Sequence, residues 1–146
     1  MILVDTGPLV ALFDPADPVH ARCVDTLNSF EEALSTTLPV LTEAFHLLTP
    51  DSVGAQRLME FIEDAGMAVW HLDDAGLTRT FELMHRYVDV PMDFADATLV
   101  AAAEACGERK VFTIDRKDFA VYRIRRGHRH VPFEVIDPAS RSLGRQ

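Results

Sequence analysis

Cysteine is scarce in the sequence: Cys23 and Cys106 are the only two, and neither stands at the short spacing of a zinc site or a redox motif. Each falls on an apolar helical position, which predicts reduced thiols packed in a core. No apolar run approaches the length of a membrane span. No basic leader precedes Asp5, so a signal peptide is not expected and the expected compartment is the cytoplasm. A Walker-type phosphate loop is missing, as is the Gly-x-Ser-x-Gly elbow of acyl hydrolases. Histidine offers no zinc spacing either: His46, His71 and His85 occur singly in periodic segments, and His128 and His130 sit in a basic run.

What is present is an ordinary globular composition, with 48% hydrophobic and 25% charged residues, which argues against disorder. The 146 residues fit one domain spanning 1–146, with 139–146 expected as a loose tail. The net charge of −9 conceals an asymmetry. Residues 1–106 hold 4 Lys/Arg against 18 Asp/Glu, whereas residues 107–146 hold 10 against 5. A basic last quarter on an acidic chain suggests a patch for a polyanion or an acidic partner, or a solvated stretch that binds nothing.

The chain opens with Ile2-Leu3-Val4, three apolar β-formers that read as a strand buried on both faces, followed by Asp5-Thr6-Gly7-Pro8, read as the turn leaving it. Helical spacing then recurs over about 18–31, and a short strand is expected over 33–37. Pro39 opens a helix whose Val40, Leu41, Ala44, Phe45, Leu47 and Leu48 cover most of its circumference. Such a helix is expected to be largely buried, and Glu43 within it then needs a cation, a hydrogen-bond network or an opening to solvent. Further helices are expected up to Gly66, from Asp73 and from Asp93 to Cys106, and strands over 68–72, 111–114 and 131–136. Strands alternating with helices predict a three-layer α/β/α sandwich around a mainly parallel central sheet of four to five strands.

Acids carry the chemical signal. Asp5 and Asp115 each follow a buried strand, on the edge where open parallel sheets bind ligands. Thr113, two residues before Asp115, is placed to orient a carboxylate or a water. Asp93 and Asp96 share the first turn of a helix, where the bland reading is a capping box. For Asp5 the bland reading is a turn cap. Should Glu43 join these acids, the clustered carboxylates must protonate or gather a cation, and oxygen ligands without His or Cys suit Mg²⁺ or Mn²⁺.

With these residues in view, the chain resembles PIN-domain proteins, specifically the VapC-type toxins of bacterial and archaeal toxin–antitoxin pairs. The resemblance rests on Ile2-Leu3-Val4-Asp5-Thr6, Glu43 in an apolar helix, Asp93-Phe94-Ala95-Asp96-Ala97, and Thr113-Ile114-Asp115-Arg116-Lys117-Asp118-Phe119. It implies a metal-dependent endoribonuclease in which Asp5, Glu43, Asp96 and Asp115 bind one or two Mg²⁺ or Mn²⁺ ions, supported by Thr6 and Thr113. Asp93 is an extra carboxylate, and Asp118 matches a less uniform acid. The first strand is then expected in the middle of the sheet. A cognate antitoxin and a homodimer are further implications. The basic residues Arg116, Lys117, Arg123, Arg125, Arg126 and Arg129 are expected to hold RNA phosphates beside the metal.

Competing readings fare less well. A haloacid-dehalogenase-like phosphatase wants a second Asp where Gly7 stands, a response-regulator receiver wants a late strand-end Lys, and a proofreading-type exonuclease wants an acid pair within the first strand. A PIN-like module that binds RNA or protein without cutting stays open, as does a PIN nuclease that processes RNA without an antitoxin.

Overall fold

A computed structural model describes residues 1–138 of the chain, so the expected tail over 139–146 lies outside the described residues. Its centre is a five-stranded sheet in the order β3-β2-β1-β4-β7, with every neighbouring pair parallel. These strands are β1 (Ile2–Val4), β2 (Leu34–Thr37), β3 (Ala68–Trp70), β4 (Lys110–Phe112) and β7 (Glu134–Ile136). The opening strand is the middle one, and Ile2, Leu3 and Val4 are wholly buried, as an apolar run covered on both faces requires.

Two helix groups cover the sheet. The first comprises α1 (Thr6–Phe13), α2 (His20–Asn28), α3 (Leu38–Leu48) and α4 (Val53–Glu63), with α1 packed on the other three. The second pairs α5 (Asp74–Arg86) with α6 (Phe94–Cys106). From β1 through β2 to β3 the chain steps one way across the sheet, and from β3 to β4 it steps back past β1. Because crossovers between parallel strands are right-handed, these opposite steps put the two helix groups on opposite faces, giving three layers. The reversal also opens a crevice between the carboxyl ends of β1 and β4.

Several local expectations are corrected. Gly7 and Pro8 lie inside the first turn of α1 rather than in a turn leaving β1, with Asp5 as the N-cap. Proline is tolerated there because its missing N–H would have no helical partner. A Cβ on Gly7 would come within 3.2 Å of Ile114 Cδ1, so the glycine lets α1 start close against the chain leaving β4.

Helix α3 is not buried all round. Val40, Leu41, Ala44 and Leu48 face the core, but Leu38 and Leu47 are 51% and 61% exposed, and Glu43 is exposed as well. That side is left largely open to solvent at Leu38 and Leu47. Cys23 is buried as expected, whereas Cys106 is exposed because it ends α6 where the helix leaves the core.

The segment expected as one strand over 131–136 divides into two. The basic stretch before it folds back as an antiparallel hairpin, β5 (Arg123–Arg126) with β6 (Arg129–Pro132), turning at Gly127 with φ +62°. Buried Phe133 then hands the chain to β7. A six-residue helix, α7 (Arg116–Val121), precedes the hairpin.

A half-buried ion pair ties these pieces together. Arg79 on α5 donates from Nε and one terminal nitrogen to Glu104 on α6 at 2.7 and 3.0 Å, and Glu104 also accepts the Arg125 backbone N–H at 2.8 Å. Among the described residues no helix is long and apolar enough to cross a membrane.

Candidate functional site

Asp5 leaves β1 in extended conformation and caps α1, its Oδ1 accepting the Thr6 N–H at 2.8 Å. Its other oxygen accepts the Thr113 hydroxyl, also at 2.8 Å. Thr113 follows β4 and, through the same Oγ1, accepts the Asp115 N–H at 2.9 Å. One threonine therefore fixes the two strand-end acids relative to each other. Asp115 caps α7 in turn, its Oδ1 accepting the Asp118 N–H at 3.3 Å.

Glu43 approaches from α3. Its Oε2 accepts the Thr6 hydroxyl at 2.9 Å, and its exposure to solvent supplies the opening that an acid on this helix needs. Asp93 is the N-cap of α6, accepting the Asp96 N–H at 2.8 Å, so the capping reading describes what its Oδ1 does. Asp96, at the third helical position, is half-buried and accepts the Tyr122 hydroxyl on Oδ2 at 2.9 Å.

These elements enclose a cleft of about 530 Å³ to which Asp5, Glu43, Asp93, Asp96, Asp115 and Asp118 contribute, and among the described residues no Lys, Arg or His lines it. The consequence is electrostatic. Burial, with Asp93 and Asp115 adding repulsion, pushes Asp5 up from 3.8 to about 6 against the opposing pull of its Thr113 and Thr6 hydrogen bonds. Asp96 is pushed up further, to about 8, by burial first and then by the charges of Asp5 and Asp93. Asp118 is also raised, through burial and its contact with Asp115. Such shifts mark a place where negative charge lacks a counter-charge.

Among the described residues no group of three or more His, Cys, Asp or Glu side chains stands close enough together to enclose a cation as placed. The donor chemistry nevertheless fits a hard divalent ion: only carboxylate and hydroxyl oxygens are offered, and two acids are driven toward protonation by burial and by the repulsion of neighbouring carboxylates.

Sequence reasoning missed two residues. Tyr122 is wholly buried, with its ring edge-on to Tyr87 and Phe119 at 5.3 and 5.2 Å, and only its hydroxyl reaches the site. The aromatic pair Phe119 and Tyr122, three residues apart, was the available local signal. Asp137 is a third strand-end acid, following β7, and lies 3.6 Å from Arg116 Nε without lining the cleft.

The basic residues do not form one patch beside the acids. Arg116 and Lys117 are exposed in the first turn of α7, next to Asp115. Arg123 donates to the carbonyls of Ala120, Val121 and Tyr122 at the end of α7, and Arg126 donates to Gly107 O at the far end of α6. Arg125 and Arg129 lie on the hairpin, and none of its arginines lines the cleft.

The sequence matches the family described as the PIN domain over residues 2–125. It is 28% identical over 125 residues to Ribonuclease VapC26 of Mycobacterium tuberculosis, covering 84% of this chain and 92% of that protein. Among solved structures, VapC20 of Mycobacterium tuberculosis, described as a Sarcin-Ricin loop cleaving toxin, superposes with a TM-score of 0.74 at 22% identity, over 81% of this chain and 92% of that one. A toxin–antitoxin complex from Klebsiella pneumoniae gives a TM-score of 0.67 at 19% identity, covering 94% and 98% of the two chains. VapBC2 from Rickettsia felis, bound to a DNA fragment from its promoter, gives 0.62 at 14%, covering 94% and 100%.

Proposed function

The chain belongs to the PIN-domain family, and from that membership we propose that it is a metal-dependent endoribonuclease, the toxin of a VapBC-type pair. The observation that carries this reading is the meeting of Asp5, Glu43, Asp96 and Asp115 in one acidic cleft beside the strand-order reversal. Its likeness to a ribonuclease supports RNA as the substrate. The likeness to toxin–antitoxin complexes supports a cognate antitoxin.

One or two Mg²⁺ or Mn²⁺ ions, held by Asp5, Glu43, Asp96 and Asp115 with Asp93 and Asp118 at the rim, would supply Lewis-acid activation of water and charge neutralisation at the phosphoryl and leaving oxygens. The side chains do the rest. Thr113 and the Thr6 N–H hold Asp5 in one orientation, so it need not reorganise as charge develops. Glu43, anchored through one oxygen by Thr6, keeps the other free to take the proton of the attacking water. Arg116 and Lys117 attract the phosphates flanking the scissile bond, Arg116 within reach of Asp137.

A groove of about 590 Å³ lined by Leu38, Pro39, Phe94 and Ala95 adjoins the cleft through Glu43 and Asp93. It suits an antitoxin segment that lies across the acids. A homodimer is part of the same proposal by likeness to the family, and exposed Leu47 on α3 is one candidate contact for it.

The reading is tested by incubating the purified chain, free of any antitoxin, with structured RNA in Mn²⁺ and in EDTA. Discrete fragments in Mn²⁺ alone are expected; intact RNA at every Mn²⁺ concentration overturns it.

Tyr122→Phe keeps the buried ring and deletes only the hydroxyl that Asp96 accepts. That hydrogen bond favours the ionised carboxylate, so its loss leaves a proton competing harder for the same oxygens. Mn²⁺ affinity at pH 7 should fall about 10-fold, the equivalent of one hydrogen bond to a charged group. Calorimetric titration of Mn²⁺ checks this, and unchanged affinity counts against it.

A further inference from the structure

We propose that the β5–β6 hairpin is a second RNA-binding surface, which grips the phosphates of the substrate several nucleotides from the cleft. This rests on the ribonuclease reading above. Six of the eight residues from Arg123 to His130 are Arg or His, and none is acidic. The antiparallel register sets Arg125 opposite His130 and Arg126 opposite Arg129. Basic side chains directly opposite one another on a two-stranded ribbon stabilise nothing by themselves, and a polyanion laid across the ribbon turns this arrangement into an advantage.

The hairpin is also held firmly enough to present them. Ile124 is buried beneath it, the Arg123 N–H donates to the Tyr87 hydroxyl at 2.9 Å, and Arg126 is tied to Gly107 O. Glu104, the acid that touches the hairpin, is engaged by Arg79 and by the Arg125 backbone. Among the described residues, the Arg125 and Arg129 side chains form no hydrogen bond or ion pair, and both are exposed. The two guanidinium groups thus stand on opposite faces of the ribbon, Arg125 with His130 on one and Arg129 with Arg126 on the other, so a strand that passes over the ribbon's edge meets both.

Location separates this surface from the cleft. Asp96 lies in the first turn of α6, and Gly107, where Arg126 is anchored, follows its last. That interval is about 16 Å along the helix axis, or about five nucleotides at roughly 3.4 Å per step. A very short oligonucleotide seated among the acids would not reach the hairpin, whereas a longer strand would. The acidic cleft repels phosphate on its own, so a cationic surface at this distance supplies the attraction that the site lacks.

The test is a binding measurement on the full chain in EDTA, where no cutting intervenes, by fluorescence anisotropy with labelled RNAs of about 24 and about 4 nucleotides across a salt series. For Arg125→Gln/Arg129→Gln, affinity for the long RNA should fall about 10-fold and the salt slope should become shallower by about one to two. The long-over-short affinity ratio should shrink accordingly. Thermal melting verifies that the exposed substitutions leave the fold intact. Unchanged affinity and slope for the long RNA overturn the proposal. So does unchanged RNA binding accompanied by lost binding of poly-glutamate, which would reassign the hairpin to an acidic protein. If wild type cuts RNA in Mn²⁺ but the double variant binds it normally, the hairpin inference falls and the ribonuclease reading stands. RNA gripped by the hairpin yet never cut in Mn²⁺ supports the surface and removes the nuclease.

Discussion

Asp5→Asn should abolish Mn²⁺-dependent RNA cleavage, by at least about 10³-fold, with the melting temperature held within a few degrees of wild type. The loss is large because Asp5 stands where β1 and β4 diverge, fixed by the Thr6 N–H and the Thr113 hydroxyl. A charge placed this rigidly contributes most where charge develops in the transition state. Stability is spared for two offsetting reasons. The amide oxygen of Asn can still accept the Thr6 N–H and cap α1, but its amino group faces Thr113, whose hydroxyl must then find another acceptor at a cost of about 1 kcal/mol. Against this, the variant no longer buries a carboxylate that is pushed up to about 6 and that repels its neighbours when ionised. A fluorogenic RNA assay paired with thermal melting reads both effects. Cleavage within 10-fold of wild type would remove Asp5 from the catalytic machinery, and a chain that fails to fold would make it a structural residue.

Four of the acids were legible in the sequence because each rests on a local rule, whereas the places of Glu43 and Asp118 among them came in through the family resemblance. A run of β-formers ending in Asp places that Asp at a strand's carboxyl end, and this holds for Asp5 and Asp115. Asp93 and Asp96, three apart before an Ala-rich run, announce a capped helix, which is how α6 begins. What was not legible depends on partners distant in the chain. The exposure of Leu38 and Leu47 is decided by which elements pack on α3, and an apolar circumference cannot report that. Tyr122 reaches Asp96 across 26 positions, with no spacing rule to link them. Helix α7 has six residues, too few to show a period. The hairpin was hidden because its charges mask the alternation of a strand: only Ile124 and Val131, a cross-strand pair, keep the apolar face.

Asp96→Asn should stabilise the metal-free protein at alkaline pH and do little in acid. Asp96 is raised from 3.8 to about 8 in the fold, so between these values the folded state holds a proton that the unfolded chain releases. The contribution of such a group is fully present below its unfolded value and is lost as pH rises through its folded one. Asp5 acts in the same sense over the narrower window from 3.8 to about 6. Wild type in EDTA should therefore lose stability from about pH 4 to about pH 8 and level off above that. Four units at about 1.36 kcal/mol each set an upper bound near 5 kcal/mol. Asp96 is only half-buried, and solvent screening reduces this to about 2–3 kcal/mol, or a melting temperature higher by roughly 5–10 °C for the variant at pH 9. Asn retains an oxygen for the Tyr122 hydroxyl, so the comparison isolates the charge. Mn²⁺ should produce the mirror image: it displaces the proton, and its stabilisation of wild type should grow from pH 6 to about pH 8 while the variant gains little. Melting curves in EDTA and in Mn²⁺ across this range give both slopes. A wild-type curve in EDTA that is flat from about pH 4 to about pH 8, or a variant that runs parallel to it, would mean that the cleft does not hold its carboxylates against their charge.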